Sequence, residues 1–344
     1  MTTGTENSMT QTEADAETPD KPEAFSIGFV GLGVMGEPMC RNLLARSGEI
    51  GCQQVIVHDL NAAPVARLSA DGATAATSVA ELAATADVVM LSLPAGEHVQ
   101  QVLAGAGDAA VFANSRPGSV IIDLSTSPVE LTRQLATAAA AHELHYVDAP
   151  VARTREAAIN GKLAISVGCE EAVYSRIEPL LACMASDITH CGAVGSGQLV
   201  KLLNNMVLFQ TVQGLAEALT VARRFGMPGE RFLDALSKGS ADSFALHNHG
   251  RKALLPEQFP LQAFSTRYAQ KDLDYARQLG RELEVPMPGA DTIARQFQAT
   301  IDQGYGDEYW PVLIKNLVAD DVAAGEVTAA PGRSGDDTNS IEKT

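Results

Sequence analysis

Aromatic residues are scarce, 5% of 344 with a single tryptophan, so most of the core must be filled by aliphatic side chains. An Ala-, Leu- and Val-rich balance of this kind suits helices packed on a buried parallel sheet. No apolar stretch reaches the roughly 18 residues of a spanning helix, which excludes such a helix and argues against a membrane partner. Basic residues are also few: 25 Lys and Arg stand against 42 Asp and Glu, for a formal charge of −17. That sign gives no electrostatic footing for nucleic acid or an anionic lipid surface. The five cysteines (Cys40, Cys52, Cys169, Cys183, Cys191) form no C-x-x-C pair and have no histidine at metal-ligand spacing. A metal site is therefore not expected, and a reduced, cytoplasmic setting fits best. Residues 1–24 have neither a basic start nor an apolar run, so they do not read as a secretion signal.

What is present divides the chain. Acidic residues crowd both ends, and residues 1–24 and 321–344 read as disordered tails. Between them, short apolar runs alternate with helical patterns: Phe25–Val30, Gln54–His58, Asp87–Leu93, Ser119–Leu124, His145–Asp148 and Leu163–Val167 read as strands. Strands alternating with helices predict an α/β unit with a doubly wound parallel sheet over 25–190. Beyond residue 191 the pattern is helical, beginning with one long helix over Gln198–Phe225 that would join the two parts. An all-helical second domain over 191–320 follows.

Gly31, Gly33 and Gly36 form G-x-G-x-x-G directly after a strand and at the start of a helix. In that position the first glycine permits a tight turn, the second lets backbone approach a pyrophosphate, and the third lets helix and strand pack closely. Asp59 ends the second strand, where a carboxylate can take ribose hydroxyls and repel a 2′-phosphate, which predicts NAD as the cofactor. A plainer role for Asp59 is capping the helix that begins near Ala62.

On the long helix, at 100° per residue, Lys201, Asn204, Asn205 and Leu208 share a face. Apolar neighbours Leu199, Val200, Leu202 and Leu203 would desolvate the ammonium and lower its pKa toward the range useful for proton transfer. A lysine snorkelling from the helix surface is the alternative. His98, His247 and His249 are expected to be polar residues of loops or helix ends.

The fingerprint Gly31-Leu32-Gly33-Val34-Met35-Gly36 with Pro38-Met39 resembles that of the β-hydroxyacid dehydrogenases. Further blocks match in order: Asp123-Leu124-Ser125-Thr126 with Pro128; Asp148-Ala149-Pro150-Val151 leading to Gly161-Lys162-Leu163; Gly195-Ser196-Gly197 with Lys201, Asn204 and Asn205; and Lys271-Asp272-Leu273. The resemblance covers residues 25–318 and implies a Rossmann domain joined by a long helix to an all-helical domain, assembled as homodimers or homotetramers. It implies that Val34, Met35, Asp59, Leu93, Pro94, Thr126 and Lys271 contact the dinucleotide. Ser125 and the segment after Pro150 would face a small anionic substrate, a 3-hydroxy acid or its semialdehyde. Lys201 would be the catalytic acid and base, with Asn205 orienting substrate or lysine.

One departure concerns the substrate. Many members carry a serine and two glycines where this chain has Ala152-Arg153-Thr154. The variant is similar to that of the sulfolactaldehyde reductases, in which an arginine helps hold a sulfonate, so Arg153 and Thr154 are expected at the substrate anion. An ion pair of Arg153 with Glu156 is the alternative. The same relatives carry a serine where this chain has Leu208, which leaves a carboxylate or a bulkier substrate open. Two other functions on this fold are an imine reductase and a non-catalytic cofactor-binding interaction protein. Lys201 counts against the first, and Lys201 with Asn205 counts against the second. A phosphogluconate-type decarboxylase would need a longer helical domain.

Overall fold

The computed structural model describes residues 25–105, 110–261 and 263–317. The two acidic ends expected to be disordered lie outside these residues. The N-terminal half runs β1 (Phe25–Val30), α1 (Gly36–Arg46), β2 (Cys52–His58), α2 (Ala62–Ala70), β3 (Thr74–Ala75), α3 (Val79–Thr85), β4 (Val88–Leu91), α4 (Gly96–Ala104), α5 (Val111–Asn114), β5 (Val120–Asp123), α6 (Val129–Ala141) and β6 (His145–Asp148). It closes with β7 (Val151–Ala152), α7 (Arg155–Ile159), β8 (Leu163–Gly168), α8 (Glu171–Leu181) and β9 (Ala185–Gly192).

The sheet order is β3-β2-β1-β4-β5-β6-β8-β7, with β9 on β8, and β1 to β6 are all parallel. Residues along each central strand alternate between two cores. Ile27, Phe29, Val88, Met90, Val120 and Ile122 fill one face of the sheet, and Val30, Val89, Leu91 and Ile121 fill the other. Helices cover both faces, which is why these strands read as unbroken apolar runs.

The expected all-parallel sheet gives way at its edge, where β7 and β6 pair with β8 antiparallel. Between Ala152 and Leu163 only the five residues of α7 are helical, too little chain for the crossover that a parallel connection needs. β9 is a strand that the sequence reading omitted. It is mostly exposed or half-buried and carries Ser186, Asp187, Thr189 and His190, so it lacks an apolar run.

The second half consists of α9 (Ser196–Arg224), α10 (Gly229–Leu236), α11 (Thr266–Glu282) and α12 (Pro288–Thr300), with a π-helical segment over Leu246–Leu254 and a 3-10 segment over Trp310–Leu317. Its core gathers around Trp310, whose ring lies 4.9 Å from that of Phe209 and 5.2 Å from the His249 imidazole. His249 is buried and its Nδ1 lies 2.6 Å from the Tyr309 hydroxyl, so it is a core residue where a loop or helix-end residue was expected. Burial, and then the nearby charge of Lys252, lowers its pKa to about 4.

That shift makes stability depend on pH with a definite sign. Between pH 6.5 and about 4 the unfolded chain binds a proton at His249 that the folded chain refuses, so stability is lost as pH falls across that window. The expected result is a melting temperature that drops more steeply from pH 7 to pH 4 in the wild type than in His249→Gln, with at most about 3 kcal/mol at stake. Equal slopes in thermal melts of the two proteins would remove His249 as the cause.

Candidate active site

The carboxyl ends of β1, β2, β4 and β5 assemble one end of the site. Gly31 leaves β1 at φ +92°, and its N–H donates to the His58 carbonyl at 3.0 Å. A Cβ there would strike the carbonyl of Ser92, and a Cβ on Gly36 would strike the carbonyl of Gly31, so both positions admit only glycine. Gly33 is the opposite case: among the described residues nothing lies within 4 Å of where its Cβ would stand. The exposed glycine, exposed Val34 beside it and the N-terminus of the 11-residue α1 leave backbone accessible where the two phosphates of a dinucleotide would fit. Met35 is half-buried against the sheet core.

Asp59 accepts from the Leu32 N–H at 2.6 Å and the Asn61 N–H at 2.7 Å, so it ties the glycine turn to the end of β2. The cap of α2 is Asn61, not Asp59. Leu60 beside it is fully exposed. The cations on neighbouring helices, Arg41 and Arg67, are already paired with Glu37, and Arg41 also with Asp71.

After β4 the chain presents half-buried Leu93 and exposed Pro94, and after β5 half-buried Thr126. Ser125 differs from expectation. It is buried, its hydroxyl accepts from the Leu93 N–H at 2.9 Å, and both its N–H and its hydroxyl bond to Asp123. It joins the two loops and does not open toward a ligand.

Behind these loops lies a buried polar network. Asp123 also takes hydrogen bonds from Ser127 and Tyr146, while burial pushes its pKa up. Asp148 ends β6 and grips the first turn of α9, accepting from the Gly195 N–H at 2.7 Å and the Gln198 N–H at 2.8 Å. Burial raises its pKa to about 6 against the pull of those two N–H groups. The Gln198 carboxamide then reaches back to the β5 loop, donating to the Ser125 carbonyl at 2.8 Å and accepting from the Ser127 N–H at 3.1 Å.

One turn past Gln198 stands Lys201. Among the described residues its ammonium has no hydrogen-bond or ion-pair partner, and burial depresses its pKa, with Asp272 pulling the other way and Lys271 adding to the depression. Asn205, buried on the same face, donates to Asp272 at 2.8 Å, and the other oxygen of Asp272 pairs with Lys271 at 2.9 Å. The Lys271 ammonium also lies 5.0 Å from the Tyr275 ring centre. The Tyr275 hydroxyl meets the N–H of Gly96 and the carboxylate of Glu97 at the start of α4, and its pKa is pushed up to about 12, mainly by burial. The helical half thus meets the loop after β4 across this face.

Four further residues come out differently from expectation. The Arg153 guanidinium bonds the Lys162 carbonyl at 2.8 Å, Ser186 at 2.9 Å and Asp187 at 2.8 Å, neither free for a ligand nor paired with Glu156. Strand β9, invisible in the sequence reading, supplies that partner. The Thr154 hydroxyl caps α7 by accepting from the Ala157 N–H. Leu208 packs on the core of the helical half, and Asn204 is exposed, with its amide on Asn205.

Gln198 and Asp272 went unassigned in sequence, although each carries a signal. Gln198 falls at the spacing of buried Leu202, Asn205 and Phe209 on α9, and Asp272 lies among buried Ala269, Leu273 and Ala276 on α11. A polar residue in a core-facing stripe needs a buried partner. Among the described residues no group of three His, Cys, Asp or Glu side chains could hold a metal ion.

Residues 26–192 match the model of the NAD-binding domain of 6-phosphogluconate dehydrogenase, and residues 195–315 match that of the NAD-binding domain of NADP-dependent 3-hydroxyisobutyrate dehydrogenase. The chain is 34% identical over 293 residues to 2-(hydroxymethyl)glutarate dehydrogenase of Eubacterium barkeri, covering 85% of this chain and 95% of that one. It is 32% identical over 284 residues to 2-hydroxy-3-oxopropionate reductase of Escherichia coli, covering 81% and 92%. The solved structure of Mycobacterium tuberculosis 3-hydroxyisobutyrate dehydrogenase with L-serine superposes with a TM-score of 0.77 at 30% identity, covering 86% of this chain and 99% of that one. The fold and site are those of an NAD(P)-binding oxidoreductase. The chain belongs to the β-hydroxyacid dehydrogenase family.

Proposed function

We propose that this protein interconverts a small anionic 3-hydroxy acid and its semialdehyde, using NAD, with Lys201 as the group that moves the proton. The observation that carries the reading is the desolvated, unpartnered ammonium of Lys201, one helical turn before Asn205 and beside the Asp272–Lys271 pair. A bound dinucleotide supplies the hydride acceptor or donor. In oxidation, neutral Lys201 takes the proton of the substrate hydroxyl; in reduction its ammonium returns that proton to the carbonyl oxygen. Asn205, held by Asp272, orients the oxygen against the amine. Because burial lowers the pKa of Lys201, the free amine is present nearer neutrality than in an exposed lysine. Oxidation should therefore rise with pH and level off below the ordinary lysine value, with reduction falling over the same range.

The test is a panel of 3-hydroxyisobutyrate, 2-(hydroxymethyl)glutarate, 2-hydroxy-3-oxopropionate and 3-hydroxypropanesulfonate, assayed with NAD(H) and NADP(H). Turnover of a carboxylate or sulfonate member supports the reading, and inactivity across the panel with every cofactor overturns it. NAD is expected over NADP because Asp59 and exposed Leu60 offer a 2′-phosphate no cation, and Arg41 and Arg67 are engaged elsewhere. The double variant Asp59→Asn/Leu60→Arg should move the ratio of kcat/KM values toward NADP by at least about tenfold, the scale of relieving a like-charge contact. An unchanged ratio would show that Asp59 does not face the ribose.

For assembly we propose a homodimer or homotetramer in the cytoplasm. Val200, Val207 and Val221 share one face of α9, with Phe225 at its C-cap, and all four are exposed, as a subunit interface requires. Light scattering that returned a monomer would overturn this. Among the described residues no helix is long and apolar enough to cross a membrane.

A further inference from the structure

We propose that Gln198 is a positioning residue for the proton transfer: its side chain fixes the turn of α9 that carries Lys201 against the loop that follows β5. The inference rests on the reading of Lys201 given above and adds a requirement to it. Proton transfer demands that the lysine and the substrate oxygen be held within hydrogen-bond reach, and an error of about 1 Å can cost on the order of a hundredfold in rate. Lys201 stands on a helix, whereas half-buried Thr126 stands on a loop of the sheet, so the spacing between the two is only as good as the link between helix and loop.

Gln198 is that link. It is fully buried, and it makes three bonds in two directions. Its backbone N–H is anchored on Asp148 at 2.8 Å; its carboxamide donates to the Ser125 carbonyl at 2.8 Å and accepts from the Ser127 N–H at 3.1 Å. Those two backbone groups flank Thr126. A carboxamide is the side chain that offers a donor and an acceptor side by side, and this pair of loop groups needs one of each. The loop is held by Asp123 as well, through Ser125 and Ser127. Asp123 and Gln198 therefore both bond the two residues that flank Thr126, and Lys201 follows Gln198 by less than one turn.

Gln198→Met keeps the volume and the backbone bond to Asp148 and removes both side-chain bonds. With the fastest acid of the panel, its kcat should fall by about tenfold or more, while KM and the affinity for NADH, measured by fluorescence titration, stay within about threefold of wild type. In a Lys201→Ala background the same change should alter the residual rate by less than about twofold, because there is no longer a lysine to position.

Gln198→Glu gives a second readout that a role in folding alone would not move. A protonated carboxyl has the donor and acceptor pattern of the carboxamide, and burial near Asp123 and Asp148 favours that neutral form. Its kcat in the reduction direction, relative to wild type at each pH, should recover as pH is lowered. A wild-type kcat in Gln198→Met with Lys201→Ala inactive overturns the role of Gln198 and leaves the role of Lys201 standing. A Lys201→Ala protein as active as wild type overturns the underlying reading instead. Failure of both Gln198 variants to fold would make the residue a stability element and overturn the proposal.

Discussion

Lys201→Ala should retain NADH binding and lose at least about a hundredfold in turnover, the usual worth of a positioned acid and base. The two effects separate because the groups are separate. The glycine turn, Asp59 and the N-terminus of α1 belong to the sheet half, and among the described residues no hydrogen bond or ion pair joins them to Lys201. Removing the lysine leaves the buried Asn205–Asp272–Lys271 chain bonded as before, so the fold has little reason to respond. Fluorescence titration with NADH and steady-state kinetics on one preparation suffice to check this. Turnover within a few-fold of wild type would show that the proton moves by another route.

The largest loss of stability should follow Trp310→Ala. The indole is fully buried, with Phe209 and Phe297 edge-on to it and His249 and Tyr309 at its rim. Truncating a tryptophan in such a setting costs about 3–5 kcal/mol, which would lower the melting temperature by about 10 °C. Among the described residues buried Trp310 Nε1 has no hydrogen-bond partner, so its removal also relieves a small penalty and places the expected cost toward the lower end. Phe209 sits two turns beyond Lys201 on the same helix, so the variant should lose activity on warming before the sheet half unfolds. A melting temperature within about 2 °C of wild type would mean that the cavity collapses without loss.

How much of this was legible in sequence depended on whether a feature is local. The glycine turn could be read because its three positions answer to one turn of backbone: φ +92° at Gly31, open space at Gly33 and close approach at Gly36. Lys201 and Asn205 could be placed on one face because helical geometry alone puts them there. Asp59 was expected to accept from a ribose or to cap a helix, and it binds the Leu32 N–H, a partner 27 positions away. Arg153 was expected at the substrate anion or on Glu156, and its partners Ser186 and Asp187 lie on β9, a strand whose polar, half-exposed residues give no apolar alternation. Ser125 was expected to face a ligand, but its bonds run inward to Asp123 and Leu93. Pairing across elements is fixed by topology, and spacing along the chain does not encode it.

The 29 residues of α9 form a single uninterrupted rod about 44 Å long, fastened at its first turn by Asp148 and sunk at its middle, through Phe209, among Phe264, Phe297 and Trp310. A rod is a poor hinge, since folding it sharply would break several backbone bonds at once. The helical half makes a second contact with the sheet half where the Tyr275 hydroxyl meets Gly96 and Glu97. Lys201, three residues past the Gln198 N–H that Asp148 holds, therefore keeps its bearing on the sheet through the stiffness of the rod itself.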